Sequence, residues 1–198
     1  KRVYSIGAGK DYPSLTVIDP TLTDTTVKHE LQIFGEMPDT GSVAFGNSLD
    51  LTLTAGDNAF DGKDFNQTYH LNDVFVRGGH DSKIRLRGLR TYKTILGDYG
   101  NVDSFAISSC VFNGGLLNKV INQGDAALTI DRSYITNYRS GLVGEVVSGT
   151  VKAFSTIFAN MGGYGTNAGV NEGVELYDCV GYQDANAYNA SKPIFHSG

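Results

Sequence analysis

The sequence is poor in proline, in cysteine and in charge of either sign. Its 198 residues include 4 prolines, 2 cysteines, 16 basic and 21 acidic residues, and its formal net charge is −5. So little positive charge leaves no broad basic face, and we expect no nucleic-acid partner. No stretch approaches the about 20 apolar residues of a membrane-spanning helix, so we expect no membrane partner either.

Glycine, in contrast, is abundant, with 25 residues, and 40% of the chain is hydrophobic. Glycine supplies turns, and a chain of this length and hydrophobic content can bury a core. These features predict a single folded domain over residues 1–198 with many turns.

The strongest signal is an internal repeat of 23 residues. Four eight-residue segments align without a gap, starting at residues 105, 128, 151 and 174, and they read FAISSCVF, LTIDRSYI, VKAFSTIF and VELYDCVG. Apolar residues recur at every second position, which is the period of a β-strand. Strands that recur at a short fixed spacing pair with their copies in the next coil. The sequence therefore predicts an all-β fold, a parallel β-helix (a solenoid) of about 23 residues per coil.

The repeat continues upstream in a looser form. Residues 30–34, 49–53, 70–75 and 83–87 have strand character, and residues 56–67 are expected to form a loop that leaves the solenoid. We therefore predict six or seven coils. The expected divisions are an N-terminal cap and opening segment over 1–28, solenoid coils over 29–184 and a C-terminal tail over 185–198.

The two cysteines occupy one column of the repeat. Cys110 and Cys179 are three coils apart, with Ser133 and Thr156 between them. At about 4.8 Å per coil they are separated by about 14 Å, well beyond the about 7 Å that a disulfide spans. The sequence predicts two free thiols that face the core.

A polar column follows each repeat segment. It consists of Gly114, Asn137, Asn160 and Gln183. Stacked amides at a corner can form a hydrogen-bonded ladder along the solenoid. The alternative is that asparagine is simply common in turns.

The opening residues 6–16, IGAGKDYPSLT, carry a family resemblance. They resemble the segment that precedes the cap in pectin-lyase-like right-handed β-helix proteins, and the character of the chain is most similar to bacteriophage decoration and tailspike modules. The resemblance implies a right-handed coil and a short N-terminal cap, which residues 17–20, VIDP, would abbreviate. The superfamily also includes polysaccharide lyases and hydrolases, but this chain is short for one and matches no catalytic motif.

Several candidate sites have a plain structural alternative. Asp131 and Asp178 could act as paired carboxylates on a glycoside, but we favour the interpretation that they are solvated residues on an outer strand face. Residues 57–64 resemble a calcium loop but fail the pattern at Ala59. The basic residues 83–93 are expected to project from a strand into water. The four histidines, His29, His70, His80 and His196, lack metal-site spacing. We expect no catalytic residue, no cofactor and no metal.

An apolar column on the outer face is the strongest site signal. If Cys110 and its column point inward, then the residues one position later point outward, and these are Val111, Tyr134, Ile157 and Val180. Phe154 and Tyr177 add aromatic rings on a nearby column. Exposed apolar surface of this kind usually marks an interface, unless a bulge rotates the strand or loops cover it.

The sequence and the resemblance together suggest a structural virion protein of a bacteriophage. It would be a capsid decoration or spike module at the particle surface, assembling with itself, most plausibly as a homotrimer, and with other virion proteins such as the capsid. An enzymatic role is left open but not favoured. The alternative is a polysaccharide-binding or polysaccharide-degrading domain, in which Tyr164, Tyr177 and Tyr182 would stack on sugar rings.

Overall fold

The computed structural model describes residues 1–62, 68–98, 102–115, 121–122, 126–138, 151–160, 163–164, 167–168 and 174–182. Within these ranges almost all of the regular secondary structure is β-strand. The strands are β1 Arg2–Ile6, β2 Lys28–Ile33, β3 Gly41–Ala44, β4 Asp50–Ala55, β5 Leu71–Asn72, β6 Val74–Gly78, β7 Lys83–Arg87, β8 Arg90–Tyr92, β9 Ile95–Asp98, β10 Ser104–Ser108, β11 Val111–Asn113, β12 Ile121–Asn122, β13 Ala127–Asp131, β14 Tyr134–Thr136, β15 Val151–Phe154, β16 Ile157–Ala159, β17 Gly163–Tyr164, β18 Asn167–Ala168, β19 Val174–Tyr177 and β20 Val180–Tyr182.

The strands stack into three parallel sheets. The first sheet has the order β1-β2-β4-β7-β10-β13-β15-β19, the second β5-β8-β11-β14-β16-β20 and the third β3-β6-β9-β12. Only the short pair β17 and β18 is antiparallel among the described strands. The chain is therefore a parallel β-solenoid of about six turns, and the predicted fold class is confirmed.

The 23-residue repeat sets the register of the later coils. Phe105 pairs with Leu128, Leu128 with Val151, and Val151 with Val174. Upstream the coils are unequal, since Leu51 pairs with Ile84 across a longer stretch of chain. No strand occurs in residues 56–62, which agrees with the predicted loop, and residues 63–67 lie outside the described residues.

Each eight-residue repeat segment forms two strands and not one. A residue in the left-handed region ends the first strand and turns the chain from the first sheet into the second, and these corner residues are Ser109, Arg132, Ser155 and Asp178, with φ between 44° and 51°. The expected strand over 70–75 is likewise divided at Asp73, φ 56°. The corner shifts the inward phase by one residue, since the buried residues Ile107 and Cys110, on either side of Ser109, are three positions apart.

The core is a set of stacked inward columns. In the first sheet one column holds Leu31, Leu53, Leu86, Ile107, Ile130 and Ala153, all of them buried. Complete burial of each large side chain contributes about 1.5–3 kcal/mol. The stacked columns therefore supply a continuous hydrophobic core along the solenoid.

The opening segment contributes both a strand and a cap. β1 pairs in parallel with β2, so the first sheet already begins at Arg2. The cap is one helical turn, α1 Leu15–Ile18, followed by a 3-10 turn over Asp19–Thr21. The helix buries Leu15 and Ile18 against the core. The helical cap is therefore short, in agreement with the prediction.

Both cysteines are free thiols. Cys110 is completely buried, and Cys179 is partly buried and packs against the core. The predicted pair of free, core-facing thiols is therefore confirmed. No helix in the described part of the chain is long and apolar enough to cross a membrane.

Candidate functional site

The second sheet carries a continuous column of side chains on its outer face. We call it the outer column, and the strand register places in it Arg90, Val111, Tyr134, Ile157 and Val180. It alternates with the buried inward column, to which Phe112, Ile135 and Phe158 belong. The structure thus brings Val111, Tyr134, Ile157 and Val180 together on one face, one coil apart.

Exposure rises along the outer column from its N-terminal to its C-terminal end. Arg90 is 1% exposed and Val111 is 4% exposed, whereas Ile157 is 41% and Val180 57% exposed. Tyr134 is half-buried. The apolar surface available to a partner is therefore limited to the C-terminal half of the column, and its use as an interface stays a prediction.

A loop covers the N-terminal end of the outer column. We call residues 57–62 the strap, since they leave the solenoid after β4 and pass over Arg90. The Arg90 Nε donates to the Asn58 carbonyl at 3.2 Å, and the Phe60 ring centroid lies 5.2 Å from the guanidinium carbon. The Phe60 amide donates to the Gly88 carbonyl at 2.9 Å. The strap is therefore tied to both the corner and the outer face of the second sheet.

Arg90 departs from the expectation for the basic segment. Lys83, Arg85 and Arg87 project outward from β7, as predicted, but Arg90 lies beyond the corner at Gly88, whose φ is 68°. There it is buried beneath the strap. The prediction that this charge projects into water was wrong, because the corner places Arg90 on the second sheet, where the strap covers it. A buried guanidinium requires hydrogen-bond partners, and the strap supplies one of them.

His70 links the strap to β8. Its Nε2 donates to the Asp57 carbonyl at 2.9 Å, and its Nδ1 accepts from the Arg90 amide at 3.1 Å. The imidazole is 1% exposed, and burial is the main cause that lowers the His70 pKa. These two bonds require a neutral ring that carries its proton on Nε2.

The predicted aromatic pair lies on the outer face of the first sheet. The Phe154 and Tyr177 rings stack with centroids 4.8 Å apart and an interplanar angle of 8°. The Tyr177 hydroxyl donates to Glu175 Oε2 at 2.7 Å, and Lys152 Nζ lies 3.0 Å from the same oxygen. Both contacts lower the pKa of Glu175. Each ring covers one face of the other, and Tyr177 remains 45% exposed.

A shallow groove lies on the outer face of the third sheet, and sequence reasoning missed it. It encloses about 320 Å³ and is lined by apolar Val74, Phe75 and Ile95, with Asp73 and Lys93 at its edge. Phe75 and Ile95 are neighbours in one outward column, and these two apolar residues at outward positions were the available signal. An apolar floor beside a carboxylate and an ammonium group suits a ligand with both apolar and polar faces.

The remaining candidate residues have structural partners or outward positions. Asp131 accepts from Arg132 Nε at 2.8 Å, and Asp178 is an exposed corner residue. Asp57 Oδ1 accepts from the Gly35 amide at 3.0 Å. Among the described residues no three His, Cys, Asp or Glu side chains gather as metal ligands. Residues 63–64 and His196 lie outside the described residues.

Backbone conformation explains the asparagines in the polar column that follows each repeat segment. Asn137 and Asn160 are both left-handed, with φ of 60° and 51°. The Asn137 side-chain Nδ2 donates to Asn113 Oδ1 at 3.1 Å, and Asn113 belongs to the neighbouring column. Asparagine adopts this conformation more readily than most residues, which accounts for its repeated use here. Gln183 lies outside the described residues.

Comparison with protein-family models, with curated proteins and with solved structures finds no match for this chain. The solenoid is shown by its strand register alone.

Proposed function

We propose that this β-solenoid is a structural assembly module that docks to further copies of itself through the C-terminal half of the outer column. One observation carries the proposal. Among the described residues five large apolar side chains are widely exposed, and three of them, Ile157, Tyr177 and Val180, lie in the last two described coils.

These three residues form one surface around a corner of the solenoid. Ile157 and Val180 are paired neighbours on β16 and β20, and Tyr177 ends the strand β19 just before the corner residue Asp178. Covering a fully exposed side chain of this size stabilises a complex by about 1.5–3 kcal/mol at most. A rigid solenoid presents such residues at a fixed spacing, which suits docking between identical subunits.

The finer assignment rests on the resemblance of residues 6–16 to pectin-lyase-like proteins. It extends the proposal to a homotrimer at the surface of a bacteriophage virion, acting as a capsid decoration or spike module. The role would be mechanical, since a continuous core resists unfolding while the outer column holds the subunits together. The assembly state is the first property to test.

The test is the molar mass in solution, measured by size-exclusion chromatography with light scattering. The wild-type protein should be a trimer, and the double variant Ile157→Thr/Val180→Thr should be a monomer, because threonine keeps β-propensity but makes the surface polar. The matched control is Val3→Thr, which alters a residue 51% exposed at the opposite end of the first sheet. A wild-type monomer at every concentration rules out self-assembly.

A second candidate function, polysaccharide binding, is favoured by the groove on the third sheet. Ile95 and the part of Phe75 that is not covered by Arg77 offer apolar contact to the C–H face of a sugar, while Asp73 and Lys93 offer an acceptor and a donor to hydroxyl groups. The tyrosines suggested from the sequence are less informative. Tyr177 already stacks on Phe154, and the side chains of Tyr164 and Tyr182 lie outside the described part of the chain.

A glycan-array screen tests this second function. Binding that is weakened at least tenfold by Asp73→Asn supports the groove, because asparagine tolerates the left-handed backbone of this corner but removes the charge. Glu36→Gln is the control variant, because it removes a carboxylate that accepts from Asn72, the residue before Asp73. Binding that is unaffected by Asp73→Asn places the sugar elsewhere.

A further inference from the structure

We propose that Asn113 is a latent site of spontaneous deamidation, which the folded corner after β11 keeps closed, so that the reaction marks molecules whose corner has opened. Asparagine followed by glycine occurs once in the chain, at Asn113–Gly114. Glycine has no side chain to hinder ring closure on its nitrogen, which makes this pair reactive in an unfolded chain. Contacts at the corner explain both why the pair is present and what hinders its reaction.

Deamidation of asparagine needs no enzyme and no cofactor. The Gly114 nitrogen attacks Asn113 Cγ, a carbon–nitrogen bond forms, and the side-chain nitrogen leaves as ammonia after taking up the proton that Gly114 loses. The product is a cyclic imide. Water then opens one of the two carbon–nitrogen bonds of the imide, which leaves either aspartate or isoaspartate in place of asparagine.

Tyr138 requires a glycine after Asn113. A Cβ atom on Gly114 would lie 2.7 Å from the Asn137 carbonyl oxygen and 2.7 Å from the Tyr138 ring. The ring has no room to move aside, because it is completely buried and its hydroxyl donates to the Thr94 carbonyl at 2.8 Å. The packing of the next coil therefore accounts for Gly114.

Three hydrogen bonds hold the Asn113 side chain. Its Oδ1 accepts from the Gly115 amide and from Asn137 Nδ2, both at 3.1 Å, and its Nδ2 donates to the Tyr69 hydroxyl at 3.2 Å. Tyr69 in turn stacks on Tyr92, with the ring centroids 5.3 Å apart. An amide side chain supplies both the acceptor and the donor that this position uses, which accounts for the asparagine.

The closed corner withholds the attacking nitrogen. Gly114 is buried, and its amide donates to the Thr136 carbonyl of the next coil at 2.8 Å. Attack on Asn113 requires this amide to lose its proton, and a buried amide in a sheet does so only when its hydrogen bond opens. Deamidation in the folded protein is therefore slowed by the same opening equilibrium that slows hydrogen exchange of the Gly114 amide.

The two donors to Asn113 Oδ1 act in the opposite direction. They would stabilise the negative charge that develops on this oxygen during attack, and one such donor in an enzyme accelerates a reaction about 10²–10³-fold. Asn137, however, directly follows Thr136, so the opening that frees the Gly114 amide also withdraws the Asn137 donor. The closed state thus has the donors without the nucleophile, and hindrance of the nucleophile decides the rate.

The two products differ in whether the corner can close again. Aspartate keeps an acceptor for the Gly115 amide and can accept from the Tyr69 hydroxyl. Isoaspartate adds one carbon to the main chain before Gly114 and shifts its amide away from Thr136, so the pairing of β11 with β14 is lost at this end. Isoaspartate would therefore be an irreversible record that the corner had opened.

The test compares deamidation at Asn113 with hydrogen exchange at the Gly114 amide. The folded protein and the same chain unfolded in urea are incubated at mildly alkaline pH, digested with pepsin in acid and analysed by mass spectrometry. Deamidation should be slower in the folded protein by the Gly114 protection factor, at least about a hundredfold. Equal rates in the folded and unfolded chains overturn the proposal, as does a folded-state rate that does not follow the Gly114 protection factor.

Two variants loosen the corner without removing the reactive pair. Tyr69→Phe removes the acceptor of Asn113 Nδ2 but keeps the ring on Tyr92, and Asn137→Gly removes a donor at a left-handed position that glycine tolerates. Each variant should raise the deamidation rate and lower the Gly114 protection factor by the same ratio, about two- to tenfold for one hydrogen bond. If a variant does not fold, the wild-type comparison decides.

Glu36→Gln is the matched control, because it alters a contact of Asn72, which lies in the column of Asn113, and should leave the deamidation rate unchanged. The Tyr134 amide, which donates to the Cys110 carbonyl at 2.8 Å, reports opening of the strands themselves. An equal loss of protection at Tyr134 in the two variants contradicts a gate at the corner. Slower deamidation in Asn137→Gly shows that the Oδ1 donors activate the carbonyl and overturns the proposal.

Discussion

Single residues in the left-handed region divide each coil into sheets. Ser109, Arg132, Ser155 and Asp178 take this conformation at the same corner in successive coils, although their side chains have little in common. Left-handed backbone costs a non-glycine residue about 1–2 kcal/mol. The surrounding strand pairing on both sides of each corner therefore imposes the conformation.

Cys110 illustrates how burial governs chemistry at one residue. Burial raises the pKa of the Cys110 thiol to about 12, and its Sγ–H donates to the Ser108 carbonyl at 3.2 Å. We expect a thiol reagent at neutral pH to modify Cys179, which is partly exposed, and to reach Cys110 only after denaturation. A disulfide reagent releases a coloured thiolate as it reacts, and the absorbance of that thiolate measures the reaction rates of Cys179 and Cys110.

Two variants serve as controls for this experiment. Cys179→Ser should abolish the fast reaction, and Cys110→Ser should leave it unchanged, since serine already occupies the same column at Ser133. Equal rates for both thiols in the folded protein contradict the buried position of Cys110.

Asp39 fastens the cap to the solenoid. Its carboxylate accepts from the Leu15 amide at 2.8 Å, from the Thr16 amide at 3.1 Å and from the Thr16 hydroxyl at 2.8 Å. Asp39→Ala should lower the free energy of unfolding by about 1–3 kcal/mol, because it leaves donors at the helix start unpaired. Urea unfolding followed by circular dichroism measures the change.

A surface carboxylate provides the comparison for Asp39. Asp103→Ala removes only an exposed contact with Lys83 and should cost less than about 1 kcal/mol. A loss for Asp39→Ala no larger than that for Asp103→Ala shows that the cap contributes little to stability.

At the scale of elements, hydroxyl groups join one coil to the next beside two of the corners, those at Arg132 and Ser155. The Ser133 hydroxyl donates to the Asp131 carbonyl at 2.8 Å and accepts from the Cys110 amide of the preceding coil at 3.1 Å. Thr156 repeats this arrangement one coil later, where it accepts from the Ser133 amide. The column that separates the cysteines is thus a polar ladder inside an apolar core.

Ser133→Ala tests this ladder. The variant leaves the buried Cys110 amide without its acceptor and should lower the free energy of unfolding by about 1–3 kcal/mol. Ser133→Thr keeps the hydroxyl group, as Thr156 does in the next coil, and should stay within about 1 kcal/mol of the wild type. Equal stability of the alanine and threonine variants in urea unfolding shows that the hydroxyl bonds are dispensable.

Over the whole molecule, the apolar core and the outer faces have different roles. The first sheet carries ion pairs on its outer face, such as Lys152 with Glu175 and Arg85 with Asp50. Exposed pairs of this kind add little stability, so the stacked inward columns hold the coils together. The outer faces are consequently free to differ between coils, and the covered and exposed halves of the outer column are one result.

The repeat in the sequence determined the parallel solenoid, the inward columns and the separation of Cys110 from Cys179. These properties follow from the alternation of side chains along a strand and from a constant spacing between strands. The column of Ile157 and Val180 could be predicted for the same reason. Each of these features depends on the order of residues along the strands and on the repeat length, and both can be read from the sequence.

Only the tertiary structure decided where the corners fall, why Arg90 is buried and where the groove and the strap lie. The corners use a backbone conformation that residues as different as Ser109 and Arg132 adopt, so no residue type marks them. Arg90 is covered by Asn58 and Phe60, which come from a loop of the preceding coil. Contacts between segments distant in sequence set these features, and a periodic pattern contains no information about such contacts.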